Sequence, residues 1–116
     1  MARTLLIVDD DPRFRRLARR LLEGRFEIVG EASDSQAARE AVATLRPQAI
    51  LLDVNLPDGD GFRLSAELSR LTPAPRTVLT SSDDPGVFDG LAAEAGALGF
   101  LPKASLSADA LNELLG

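Results

Sequence analysis

The chain reads as an α/β domain in which five strand–helix units surround one parallel sheet. Short apolar runs recur along it, among them Leu5-Leu6-Ile7-Val8, Ala49-Ile50-Leu51-Leu52 and Val78-Leu79. Runs of this kind suit strands buried on both faces. Helix-periodic stretches separate them with short connections, and right-handed crossovers then place helices on both sides of the sheet. The runs also end alike, at Asp9-Asp10-Asp11, at Asp53, at Thr80 and near Lys103. Ligands of open α/β sheets bind beyond the strands' carboxyl ends. Carboxylates, a hydroxyl and an ammonium would therefore meet at one edge, which suits a hard divalent cation and a phosphoryl group.

Strand one covers about Thr4 to Val8. Asp11 caps the first helix and Pro12 takes its first position, with Phe14, Leu17, Ala18, Leu21 and Leu22 as the apolar face and Gly24 as the stop. Phe26 to Ala32 is strand two. Ser35 is expected to cap the second helix, whose stripe is Ala38, Ala41, Val42 and Leu45, closed by Pro47. Gln48 to Leu52 is strand three, followed by the turn-rich loop Asn55 to Gly61. Leu64, Leu68 and Leu71 mark the third helix, ended by Thr72-Pro73-Ala74-Pro75. Arg76 to Thr80 is strand four. A fourth helix is expected over about Asp84 to Ala95, although Gly86 and Gly90 lower its propensity. Gly99 to Leu101 is a short fifth strand, and Ser107 caps a last helix carrying Leu111, Leu114 and Leu115.

Composition narrows the chemistry. The 116 residues, 45% hydrophobic and 27% charged, are ordinary for one globular domain. With no cysteine there is no thiol nucleophile or disulfide framework, and with no histidine no usual zinc site or His-based triad. A metal must then be held by oxygen, which favours Mg²⁺, Mn²⁺ or Ca²⁺. A net charge of −5 argues against direct nucleic-acid binding. No apolar stretch is long enough to span a membrane, and the N-terminus lacks a signal peptide's apolar segment, so a soluble, cytoplasmic protein is expected.

Four motifs occur in order over the whole chain: Val8-Asp9-Asp10; Leu52-Asp53-Val54-Asn55-Leu56-Pro57 with Asp60-Gly61; Thr80-Ser81; and Phe100-Leu101-Pro102-Lys103. Together they resemble the CheY-like receiver domain of two-component response regulators. The stretch Gly99 to Ser105 is most similar to receivers of the NarL/LuxR type, which usually precede a helix-turn-helix output domain of a transcriptional kind. The resemblance implies a flavodoxin-like (βα)5 fold, with strand order 2-1-3-4-5. Residues 1–116 are expected to form one receiver domain with no output domain among them, either as a stand-alone receiver or as a fragment of a longer protein.

The same resemblance implies roles. Asp53 is the phospho-acceptor, forming an acyl phosphate. Asp9, Asp10, Asp53 and the main-chain carbonyl of Asn55 hold Mg²⁺, with Mn²⁺ as an alternative; Asp10 is the more direct ligand and Asp9 acts partly through water. Read from the residues alone, Asp11 is a helix cap ahead of Pro12, and Asp58, Asp60, Asp83 and Asp84 are loop and cap residues rather than ligands. Thr80 donates to a phosphoryl oxygen and Lys103 pairs with another, while the small Ser81 keeps the approach to Asp53 open. Phe100 is the aromatic switch that fills space vacated by Thr80. Asn55 and Ser82 border the hydrolytic water's path and tune phosphoryl lifetime.

The phosphodonor is a histidine kinase or phosphotransfer protein, necessarily another molecule since this chain has no histidine. The first helix, with Arg13, Arg15, Arg16, Arg19 and Arg20, would dock it and favour an acidic partner. The fourth helix, fifth strand and fifth helix form the switched face, which would homodimerise or bind an output domain or partner. Ala104 rather than Pro follows Lys103. A cis bond there costs a few kcal/mol more than one before Pro, which leaves the peptide geometry open. The chain would catalyse only its own phosphorylation and dephosphorylation. Two other readings are a phosphorylation-independent interaction module and an aspartyl-phosphate phosphatase. The phosphatase would need a second Asp two residues after the nucleophile, where Asn55 stands.

Overall fold

The computed structural model describes residues 2–82 and 89–116. The elements run β1 (Arg3–Val8), α1 (Pro12–Leu22), β2 (Phe26–Ala32), α2 (Ser35–Leu45), β3 (Ala49–Asp53), β4 (Asn55–Leu56), β5 (Gly59–Asp60), α3 (Gly61–Leu68), β6 (Arg76–Ser81), α4 (Asp89–Glu94), β7 (Gly99–Pro102) and α5 (Ala108–Leu115). Five strands form a parallel sheet in the order β2-β1-β3-β6-β7. Counting only these five, the order is 2-1-3-4-5, as expected for a flavodoxin-like receiver fold. The turn-rich loop after β3 is partly ordered, because β4 and β5 pair there as a small antiparallel hairpin.

Side-chain alternation along the strands divides the core in two. Leu5, Ile7, Ala49, Leu51 and Val78 face α1 and α5, packing on Phe14, Ala18, Leu22, Leu111 and Leu115. Leu6, Val8, Ile50, Leu52 and Leu79 face the other way, onto Ala38 and Val42 of α2, Leu64 and Leu68 of α3 and Ala92 of α4. Both faces are thus covered, which accounts for strands apolar at successive positions rather than alternate ones.

Four expectations need correction. Leu17 and Leu21 lie 49% and 42% exposed, because the buried stripe of α1 is the single i, i+4, i+8 row Phe14–Ala18–Leu22. Asp34, not Ser35, caps α2: Asp34 has extended backbone and accepts from Ala37 N at 2.7 Å, leaving Ser35 buried as the first helical residue. Leu45, expected in the buried stripe of α2, is 43% exposed, because it lies in the last turn of a helix that closes just after it on Arg46 in the left-handed region (φ 46°), before Pro47. Helix α3 ends before Leu71, which is exposed: the Ser69 hydroxyl donates to the Ala66 carbonyl and turns the chain. Of the expected fourth helix, residues 89–94 are helical; its first residues, with Asp83 and Asp84, lie outside the described residues. Among the described residues no helix is long and apolar enough to cross a membrane.

Candidate functional site

The carboxyl ends of β1 and β3 deliver the acidic residues. Asp9 is fully buried, Asp53 is 4% exposed and Asp10 is solvent-facing. One carboxylate oxygen from each lies within 4.8 Å of the others. Asp9 is held by the Asp11 N–H, which donates to its Oδ1 at 2.8 Å. The guanidinium of Arg15 donates to the Asp9 carbonyl at 2.6 Å and is itself steadied by Glu31 on β2 at 3.0 Å. Asp11 accepts from Arg13 N at 2.9 Å, the helix-cap bond expected of it, and that backbone N–H holds its carboxyl below the ordinary range.

Lys103 reaches into this cluster from the single 3₁₀ turn that follows β7. Its Nζ lies 2.6 Å from Asp9 Oδ2 and 3.3 Å from Asp53 Oδ2, and 4.5 Å above the ring of Phe14. Burial disfavours the ammonium, but the Asp9 and Asp53 carboxylates outweigh it and keep its pKa above the ordinary lysine value. The peptide after Lys103 is trans; among the described residues only Thr72–Pro73 is cis.

Asp53 experiences the opposite balance. Burial, and after it the charge of Asp9, raise its pKa to about 6. The Asn55 N–H at 3.2 Å and the Lys103 ammonium pull the other way without cancelling the rise. A buried pair of carboxylates compensated by one ammonium is an incomplete charge balance, and a divalent cation among the three acids would complete it.

Thr80 sits directly across from Asp53 in the β3–β6 register. Its Oγ1 is buried and makes no hydrogen bond, unusual for a buried hydroxyl. Ser81 is buried beside it, while Ser82 and Asn55 are exposed at the mouth. Phe100 pairs with Leu79 on the neighbouring strand and packs, partly buried, against the core facing α2, α3 and α4. The sheet thus brings together Asp9, Asp10, Asp53 and Lys103, with Thr80 adjacent; Phe100 lies one strand position further from the mouth. Two contacts have weaker sequence signals. Phe14 reads as core and Arg15 as surface charge, yet one lies beneath Lys103 and the other binds the Asp9 carbonyl. A separate cavity of about 810 Å³ lies away from the acids, lined by residues of α2, α3 and the loop before β6.

Residues 5–115 match the family model of the response regulator receiver domain. The chain belongs to that family; it is a receiver domain of two-component response regulators. It is 38% identical over 109 residues to a protein-glutamate methylesterase/protein-glutamine glutaminase from Alkalilimnicola ehrlichii, covering 90% of this chain and 28% of that protein. A protein of the same description from Hahella chejuensis is 38% identical over 104 residues, covering 85% and 29%. The chain thus spans under a third of the length of these curated relatives. Among solved structures, it resembles the signal receiver domain designated NarL from Mycobacterium tuberculosis, with a TM-score of 0.88 and 32% identity over 98% of this chain and 96% of that one. A LuxR-family two-component response regulator from Aurantimonas sp. SI85-9A1 gives the same TM-score at 26% identity, over 99% and 86%. Receiver domains generally bind Mg²⁺ at an acidic pocket such as this one.

Proposed function

We propose that Asp53 accepts a phosphoryl group from a phosphohistidine on a partner kinase or phosphotransfer protein. The observation that carries this reading is the convergence of Asp9, Asp10 and Asp53 around one ammonium, beside a buried hydroxyl with no partner. In the transfer, an Asp53 carboxylate oxygen forms a bond to phosphorus while the bond from phosphorus to the donor imidazole nitrogen breaks. The imidazole leaves with the electron pair of that bond.

Asp9, Asp10, Asp53 and the Asn55 carbonyl would hold Mg²⁺, which when bound neutralises charge on the phosphoryl oxygens. Lys103 would leave its present carboxylate partners in part and pair with a phosphoryl oxygen. The Thr80 hydroxyl would donate to another and so gain the partner it lacks. The trio Asn55, Ser81 and Ser82 presents small polar side chains, leaving the approach open to donor and to hydrolytic water. Phosphorylation then biases Thr80 and Phe100, and with them the face formed by α4, β7 and α5. That face would homodimerise or bind an output domain, in a cytoplasmic signalling protein that modifies only itself. Helix α1 offers Arg13, Arg16 and Arg20 with the exposed Leu17 and Leu21 to an acidic phosphodonor.

Borohydride reduction tests the acceptor directly, because it converts an aspartyl phosphate to homoserine. After incubation with Mg²⁺ and acetyl phosphate, peptide mapping is expected to find homoserine at position 53 alone. Homoserine elsewhere, with Asp53 intact, would reassign the acceptor.

A further inference from the structure

The carboxylate of Asp58, at the tip of the hairpin following β3, binds the start of a different element. Its Oδ1 accepts from Ser35 N at 2.7 Å and its Oδ2 from Gln36 N at 3.1 Å. These are two of the otherwise unpaired N–H groups at the beginning of α2. The helix already has its own cap in Asp34, which accepts from Ala37 N. Asp58 therefore does more than cap: it joins the hairpin to the helix across 23 residues of sequence.

The hairpin is held elsewhere as well. Leu56 and Val54 are buried in the core facing α2 and α3. Gly59 packs so closely on α2 that a Cβ would lie 3.2 Å from the Ser35 hydroxyl. Through the β4–β5 ladder, Asn55 pairs with Asp60 and Leu56 with Gly59, so pairing links the tip of the hairpin to its base. The base is Asn55, whose N–H donates to Asp53 Oδ1.

We propose that Asp58 is a positioning residue for the cation site. By fastening the hairpin to α2 it fixes the Asn55 peptide, whose N–H orients the Asp53 carboxylate and whose carbonyl is assigned to the metal. This rests on the assignment of Asp9, Asp10, Asp53 and Asn55 as cation ligands. Groups that orient metal ligands through hydrogen bonds commonly change affinity by an order of magnitude when removed.

The test compares two caps of the same helix. Asp58→Ala and Asp34→Ala each remove acceptors from the start of α2, but only the first unfastens the hairpin. Mg²⁺ affinity is measured by isothermal titration calorimetry on the whole chain, with circular dichroism confirming folding. Asp58→Ala is expected to weaken Mg²⁺ on the order of tenfold, Asp58→Asn to weaken it less, and Asp34→Ala to leave it near wild type. Amide exchange at Asn55 should quicken only in the Asp58 variants. Should Asp58→Ala not fold, Asp58→Asn carries the comparison. Wild-type affinity in the Asp58 variants, or equal weakening by Asp34→Ala, would overturn the positioning role. Asp10→Asn separates the two claims. If it abolishes Mg²⁺ binding while Asp58 variants bind normally, the ligand set stands and the positioning role fails. If wild type does not bind Mg²⁺, both fail.

Discussion

Lys103 lies closer to the buried carboxylate of Asp9, at 2.6 Å, than to that of the proposed acceptor Asp53, at 3.3 Å. Without a cation, one ammonium offsets two acids and is occupied mainly by Asp9 rather than by the proposed acceptor. Lys103 and a divalent ion bound among the acids would therefore compete for overlapping negative charge, and each would weaken the other's hold.

Replacing Lys103 by Met exposes that competition. Removing a positive charge a few ångströms from the cation should tighten Mg²⁺ binding, by about tenfold or more. Metal-free Lys103→Met should lose about 2–4 kcal/mol of stability, because Asp9 is left buried without its partner. Calorimetric titration and urea unfolding read the two effects, and phosphorylation by acetyl phosphate should fall despite the tighter metal.

Asp53 sets a pH dependence of unusual sign for a carboxylate. Its folded pKa of about 6 exceeds the ordinary 3.8, so between those values the folded protein binds more protons than the unfolded chain. Its contribution to stability therefore declines as pH rises from about 4 to about 6, and is fully lost above. At pH 7.5 without metal, Asp53→Asn should be more stable than wild type by on the order of 1–3 kcal/mol. The difference should vanish near pH 4, and Mg²⁺ should stabilise wild type far more at pH 7.5 than at pH 5. Urea unfolding across pH, with and without Mg²⁺, measures this.

Thr80→Val removes a hydroxyl that is already buried without a partner. Unphosphorylated Thr80→Val should be as stable as wild type, or more stable by about 1 kcal/mol. The gain in thermal stability on phosphorylation should shrink, since the phosphoryl group loses its donor. Differential scanning fluorimetry before and after acetyl phosphate treatment compares the two.

Much of this was legible from residue type and spacing. Apolar runs marked the strands, and the polar residues closing them, Asp9, Asp10, Asp53 and Lys103, are the ones the sheet brings together. Their exposure did not follow as easily. Leu17 and Leu21 have helical spacing relative to Phe14, but a helix on a sheet buries one row, and pattern alone does not say which. Asp34 and Ser35 are both good caps, and the extended backbone of Asp34 decides between them. Ser69 ends α3 by a local side-chain bond that competes with the stronger-looking signal of Pro73. Asp58 was legible as a cap, but not for a helix whose start lies 23 residues earlier; such pairing depends on the closed fold.

Gly61 shows how tightly the strand carrying the proposed acceptor is packed. Its N–H donates to the Val54 carbonyl at 2.9 Å, and a Cβ at Gly61 would collide with the Asp53 carbonyl oxygen. Gly61→Ala should therefore cost about 2–4 kcal/mol by forcing backbone apart rather than a flexible side chain. Urea unfolding gives the cost, and weakened Mg²⁺ binding would show that the shift reaches Asp53.

Intact-mass spectrometry after incubation with Mg²⁺ and acetyl phosphate tests phosphoryl acceptance at Asp53 most directly. Wild type should gain a single phosphoryl adduct, chelation of the metal should abolish it, and Asp53→Ala should gain none. An unmodified wild-type mass, or an adduct that persists on Asp53→Ala, would contradict the account.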